Sequence, residues 1–559
     1  MTRFAFVAVA LAACSGAPPH TEPAPPPTPV VHVPSDPTPT PVGEAPKKKD
    51  GPPLAEVHVV KDTYHGTAVE DPYRWLEDES PETKAWTAAQ TTFAQAAIEK
   101  LTDIGVFRTE LEKILNAPIT TYGGLKVAGG KLFANRRLPN KEQPELIVLA
   151  DPEHVKTAKL VFDPINADHP RRSVDWWVPS PDGTKVAIAA SDGGSEIADV
   201  HILDLSGKEL EVVPNVQRPT AGGNVAWTPD SKAVYYTRYP AAGEKPETER
   251  DFWQQLYFHQ LGTPVAKDRY ELGKDFPKQA EIELQTDTRG RVLVGVQQGD
   301  GGIFRYYLKD AKGWRQLADW DDQIALVVFG GTPDLWLVSR KEAPHGKLMK
   351  LAATAKTTAE ATVIVPEGKD SIVTDFHDKS GVLAVGDRVY VNYQLGGPSE
   401  VRAFSLAGKP QKAPVGPSVS SASAPIAWRG DVLVWFSSYT TPSTLTRFAA
   451  KTGKLTPLPD FTPALPVDFS NIEARREVAT SKDGTAVPLN IMWPKGAPQD
   501  GTVPCIVYGY GGYGINEEPG EWIAFAPLLS RGFCLVDVNL RGGAEFGEEW
   551  HRNGMLLKK

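Results

Sequence analysis

Cysteine and methionine are scarce in this chain, at three and four in 559 residues, which excludes a fold held together mainly by disulfides. No run of basic residues is longer than Lys47-Lys48-Lys49, and the formal net charge is −9, so a nucleic-acid partner is not expected. The 11 histidines are scattered, with no H-E-x-x-H or other metal-ligand spacing, so no metal site and no cofactor is expected either. Nor does Gly-x-Ser-x-Gly, the turn that presents a nucleophilic serine, occur anywhere in the 559 residues.

What is present is the composition of a soluble globular protein, 41% hydrophobic and 23% charged, at a length that implies two or three domains. Fourteen Trp and sixteen Tyr point towards aromatic-rich β-structure. The chain opens with a short basic segment, Met1-Thr-Arg3, then an apolar core from Phe4 to Ala10, too short to span a bilayer. Leu11-Ala-Ala-Cys14 follows and resembles a bacterial lipobox, which makes Cys14 the candidate lipidation site; an ordinary secretory signal is the alternative. The expectation is a lipoprotein signal peptide over 1–14 and an exported protein held on a membrane of the bacterial periplasm or envelope. Residues 15–53, dominated by Pro, Thr, Ala and Val, read as an extended disordered linker. The other two cysteines, Cys505 and Cys534, lie in apolar runs, where a small buried thiol is the default reading and a disulfide is open.

Folding proper starts near Leu54. Ser80 can cap a helix whose first turn holds Pro81, and helical composition runs to about Leu115. From 118 to 465 a loose motif recurs, a Gly- or Asp-containing turn followed by an apolar strand. Its turns are Gly129-Gly130, Asp182-Gly183, Asp230-Ser231, Arg289-Gly290, Pro333-Asp334, Gly386-Asp387 and Arg429-Gly430. Seven instances at roughly 50-residue spacing predict seven propeller blades. Beyond Asp468 a hairpin is expected around Asp483-Gly484. Two continuous apolar runs follow, Val503 to Tyr508 and Gly532 to Val538, with a helix around Glu521 to Leu529 between them; together they imply a parallel sheet.

Gly509-Tyr-Gly-Gly-Tyr-Gly514 formally matches a dinucleotide-binding G-x-G-x-x-G, but Asn516-Glu-Glu-Pro-Gly520 follows where a helix should open. Two carboxylates would then stand where phosphates lie. The better reading is an oxyanion loop, in which glycines allow a sharp turn and a tyrosine hydroxyl donates to a developing oxyanion.

Asp71-Pro-Tyr-Arg-Trp-Leu-Glu-Asp78, the propeller-like middle, Tyr508-Gly-Tyr-Gly-Gly512 and Arg541-Gly-Gly-Ala-Glu-Phe-Gly547 with Trp550-His551 together resemble the prolyl oligopeptidase family. The resemblance runs from about Val57 to Lys559. It implies a seven-bladed β-propeller plus a partial α/β-hydrolase domain, with a helical segment over 54–117 packing on the peptidase domain, the propeller over 118–465 and the peptidase domain over 466–559. It also implies a monomer that cuts short proline-containing peptides after proline by acyl-enzyme chemistry, serine attacking, histidine acting as base and aspartate orienting the histidine. Tyr510 would be the oxyanion-hole donor. Tyr513 falls where the family has an aromatic residue lining the proline pocket, and Arg541 to Gly547 would form a loop at the rim. His551 belongs to that rim segment and is not the triad histidine.

The family's Gly-Gly-Ser-Asn-Gly-Gly, then its Asp and His, would follow the position of Lys559. The chain is therefore expected to be a truncated member, inactive as given. Ile506, Val507, Leu535 and Val536 are expected on an exposed edge, in a loosely held C-terminal segment. Two other functions stay open: a non-catalytic surface propeller that captures peptides, and a related oligopeptidase that cuts after basic residues.

Overall fold

The computed structural model describes residues 51–299, 302–374 and 381–558; Cys14 and nearly all of the proline-rich segment lie outside them. The chain divides into two compact units at Leu115 and Asn116.

In the first unit a hairpin of Val60–Tyr64 and Thr67–Asp71 turns at His65 and Gly66, both at positive φ. Two helices follow, Pro81–Ile98 and Ile104–Leu115. The Ser80 hydroxyl accepts from the Thr83 amide at 3.1 Å and Pro81 opens the helix, as the sequence pattern predicts.

The second unit opens with seven antiparallel sheets, each built from one continuous stretch of chain. They span Thr121–Phe162, Arg172–Gln217, Val225–Leu272, Ala280–Ala318, Ile324–Val365, Ser371–Gln411 and Ser420–Pro457, here blades 1 to 7. All seven turns read from the sequence connect two paired strands near the start of a blade. At Gly129 and Gly183 those turns also pack backbone against backbone between blades 1 and 2, leaving no room for a Cβ.

Seven buried apolar clusters hold the ring, one for each blade-to-blade interface. Blades 7 and 1 share no strand, so the ring closes through side chains alone. Trp428, Leu433 and Leu445 pack with Leu132 and Ile147, while Arg429 reaches the Ala150 carbonyl at 2.8 Å and Arg447 reaches Glu153 at 2.9 Å. Trp428 is fully buried. An aromatic side chain removes about 150–250 Å² from water, which at about 25 cal/mol/Å² contributes about 4–6 kcal/mol as an upper bound.

After blade 7, Ile472–Thr480 and Ala486–Pro494 form the expected hairpin, with Gly484 at φ +85° in its turn. Cys534–Val538 then pairs antiparallel with Ala486–Pro494 and parallel with Cys505–Gly509. This order corrects the expectation of a single exposed edge. Cys534–Val538 is interior and Leu535 is fully buried, whereas Val507, on the outer strand, is 67% exposed. The helix expected over Glu521 to Leu529 is also shorter. A 3-10 turn at Ile523–Phe525 leads into Ala526–Leu529, because Pro527 has no N–H to donate back to Ile523.

The C-terminal segment is part of the same compact unit as the propeller. Tyr439 of blade 7 donates to Asp537 at 2.6 Å, Ser421 to the Pro519 carbonyl at 2.7 Å, and Arg340 to Glu548 at 3.1 Å. It is docked, not loose.

Candidate active site

The Cys505–Gly509 strand ends in the glycine loop, and Gly511 (φ +62°) and Gly514 (φ +67°) supply its left-handed turns. Tyr513 is also left-handed (φ 55°), and 44% of it is exposed. No helix opens directly after the loop, so the dinucleotide reading has no structural counterpart.

The two segments that sequence analysis treated separately interlock. Gly514 N–H donates to the Gly542 carbonyl at 2.9 Å and Gly542 N–H to the Trp550 carbonyl at 3.1 Å. Ala544 N–H donates to Asn516 Oδ1 at 3.0 Å, and the Trp550 indole donates to the Leu540 carbonyl at 3.1 Å. Gly542 (φ +104°) lies so close beneath the Gly511 carbonyl that no side chain would fit. Arg541 is anchored away from the loop, 2.5 Å from Asp483 in the hairpin turn. His551 lies against Gly514, where an added Cβ would be 3.7 Å from Nδ1, and pairs with Glu548 at 3.5 Å. That position makes it a support of the loop.

Tyr510 is half-buried, and its hydroxyl makes no hydrogen bond to any described residue. Burial, then the neighbouring Tyr513 and Glu517, push its phenol pKa up, so the hydroxyl keeps its proton and can act as a donor. Among the described residues no serine or threonine hydroxyl and no thiol is hydrogen-bonded to a histidine ring; the ring partners are carboxylates and one carbonyl. The two remaining cysteines are joined as a disulfide, which settles the alternative left open by the sequence, and Cys505 is exposed while Cys534 is buried.

Sequence reasoning noted Glu517 only as an obstacle to a phosphate and missed that acids cluster around this loop. Asp537, Glu517 and Glu545 gather behind it, with Asn490, Asn539 and Tyr439. The available signal was Asp537 itself, a charge inside the apolar run Cys534 to Val538.

A seven-bladed propeller followed by the first strands of an α/β sheet, with a glycine-tyrosine loop at a strand end, is the architecture of the prolyl oligopeptidases. The model for the prolyl oligopeptidase N-terminal β-propeller domain matches residues 52–460, and the chain belongs to that family. The chain is 26% identical to a prolyl endopeptidase of Elizabethkingia meningoseptica over 513 residues, covering 89% of this chain and 69% of that protein. It is 25% identical to the dual function macrocyclase-peptidase POPB of Galerina marginata over 542 residues, covering 88% of this chain and 71% of that one. A solved prolyl endopeptidase structure, 27% identical, superposes with a TM-score of 0.80 over 90% of this chain and 74% of its own.

Proposed function

We propose that these residues are the propeller and the oxyanion side of an exported, lipid-anchored serine oligopeptidase that acts on short peptides after proline. The observation that carries the reading is Tyr510, an unengaged and protonated phenol on a rigid glycine loop at the end of a parallel strand. A donor placed in advance where negative charge develops costs no reorganisation during the reaction. Tyr513, exposed beside it, offers a flat face for a proline ring. In such a site the serine would attack the peptide carbonyl, a histidine would take its proton, and Tyr510 would donate to the tetrahedral oxyanion beside a backbone N–H.

None of the described residues stands as a nucleophile paired with a base, so the 559 residues alone are expected to bind peptide without cleaving it. The same observation supports a second reading, peptide capture without chemistry. One experiment tests both: incubation with a fluorophosphonate probe and a Gly-Pro reporter, alongside fluorescence anisotropy with a labelled proline-containing peptide. No labelling with saturable binding fits the proposal. Stoichiometric labelling would reveal a nucleophile that the geometry does not show, and no binding would remove the peptide reading altogether. Capture as the whole function is separated from peptidase activity by the same assays on any longer product of the gene.

A further inference from the structure

Two buried carboxyl groups and a half-buried third gather where blade 7 seats on the C-terminal sheet, and among the described residues no cationic side chain is bonded to any of them. Asp537 is fully buried in the middle strand, opposite Asn490 on one side and Tyr508 on the other. Glu545 is 1% exposed, and Glu517 is half-buried just after the glycine loop. The polar contacts are few. Tyr439 donates to Asp537 Oδ2 at 2.6 Å, Glu517 N–H to Glu545 Oε1 at 3.1 Å, and Asn539 to the Glu517 carbonyl at 2.8 Å and to Glu545 Oε1 at 3.4 Å. Asp537 Oδ1, Glu545 Oε2 and Asn490 Oδ1 are buried without a partner.

The other charged and titratable groups on the surrounding elements are accounted for. Arg476, on Ile472–Thr480, donates to the Gly396 carbonyl of blade 6. Gln394 of blade 6 holds Glu518, and Ser443 of blade 7 holds Glu521. Tyr508 and Tyr510 are phenols, and Arg541 is committed to Asp483. When ionised, the three acids therefore carry negative charge with which no described cationic side chain is directly paired. A metal ion does not fit either: among the described residues the one trio of acidic and histidine groups with ligand atoms within 4.8 Å of one another is the exposed Glu56, His58 and Glu82.

We propose that Asp537, Glu517 and Glu545 form a proton-operated latch between the propeller and the oxyanion loop, closed when the acids hold protons and loosened when carboxylate repulsion replaces them. The contacts give the latch a route to the loop. Trp522 touches both Tyr439 (ring centroids 6.2 Å apart) and Tyr508 (5.3 Å), and Tyr508 is two residues from Tyr510. Burial holds Asp537 up at about 6, and burial with repulsion from Asp537 and Glu545 holds Glu517 up at about 7. Both lie above the ordinary carboxylate range, so between about pH 4 and 7 the folded junction binds more protons than the open one. Its stability then falls as pH rises through that window.

The inference stands apart from the peptidase reading, because it is read without substrate. Hydrogen exchange of the full chain at pH 5.5 and 8.0, corrected for intrinsic rates, should show residues 505–522 and 534–548 protected on the order of tenfold better at pH 5.5, tenfold being the effect of one pKa unit. Peptides from blades 3 and 4 serve as the unchanged reference. The double variant Asp537→Asn, Glu517→Gln should lose that difference and resemble the wild type at pH 5.5 under both conditions; if it does not fold, Glu517→Gln alone should reduce the difference. Equal wild-type protection at both pH values would overturn the latch, as would an undiminished pH effect in the variants. Recovery of protection at pH 8.0 on adding calcium chloride would replace it with a cation site.

Discussion

Cys505 and Cys534 face each other in register on parallel strands, with Cα atoms 4.5 Å apart, and are joined by a disulfide. Within the described sheet the Cys505–Gly509 strand has one neighbour, and that neighbour is Cys534–Val538. The strand that carries the Tyr510 loop is thus tied to the sheet covalently as well as by its ladder. Closing a loop of 29 residues constrains the open chain by about 3–4 kcal/mol in the chain-entropy account. Reduction with dithiothreitol, or the substitution Cys505→Ser, should therefore speed proteolysis within residues 500–540 and leave the blades resistant. Identical digestion with and without reductant would show that the cross-link does not hold the loop.

His259 is fully buried in blade 3, with Nδ1 2.6 Å from Asp268 and Nε2 3.1 Å from Glu211 of blade 2, the latter outside hydrogen-bond geometry. Tyr236 donates to the other Asp268 oxygen at 2.7 Å. Removing the imidazole leaves two acids without their shared partner. His259→Ala should cost about 3–5 kcal/mol, the range for breaking a buried pair from one side, and denaturant unfolding measures it. A loss below about 1 kcal/mol, the value of an exposed pair, would show that the imidazole contacts do not hold this part of blades 2 and 3.

Tyr510 has one chemical task in the proposed mechanism. In a longer chain that supplies a serine nucleophile, Tyr510→Phe should lower kcat by roughly 10²-fold, the effect of losing one oxyanion donor, with KM little changed. The aromatic face stays, so a change confined to KM would reassign Tyr510 to substrate binding.

Cys14 is proposed to carry the lipid. Replacing it with Ala should move the protein from the membrane pellet to the soluble fraction after cell breakage. Unchanged partitioning would leave the ordinary secretory signal as the reading of residues 1–14.

Features that depend only on neighbours along the chain were legible in the residues. Seven turns marked seven blades because tight turns select Gly, Pro, Asn, Asp or Ser locally, whatever lies across the fold, and six of the seven hold a residue at positive φ, the Pro333-Asp334 turn being the exception. The Ser80 cap, the Asp483-Gly484 hairpin and the Tyr508 to Gly514 loop were legible for the same reason. The rest came from contacts between distant parts of the chain. Strand order made Leu535 interior and Val507 exposed, because a run apolar on both faces does not say which of two strands lies in the middle. Cys505 meets Cys534 only because the intervening crossover returns the chain in register. The acid cluster was the least legible of all. Tyr439 and Asp537 are 98 residues apart in the chain, and a carboxyl in an apolar run gains its meaning only from what the fold places, or fails to place, around it.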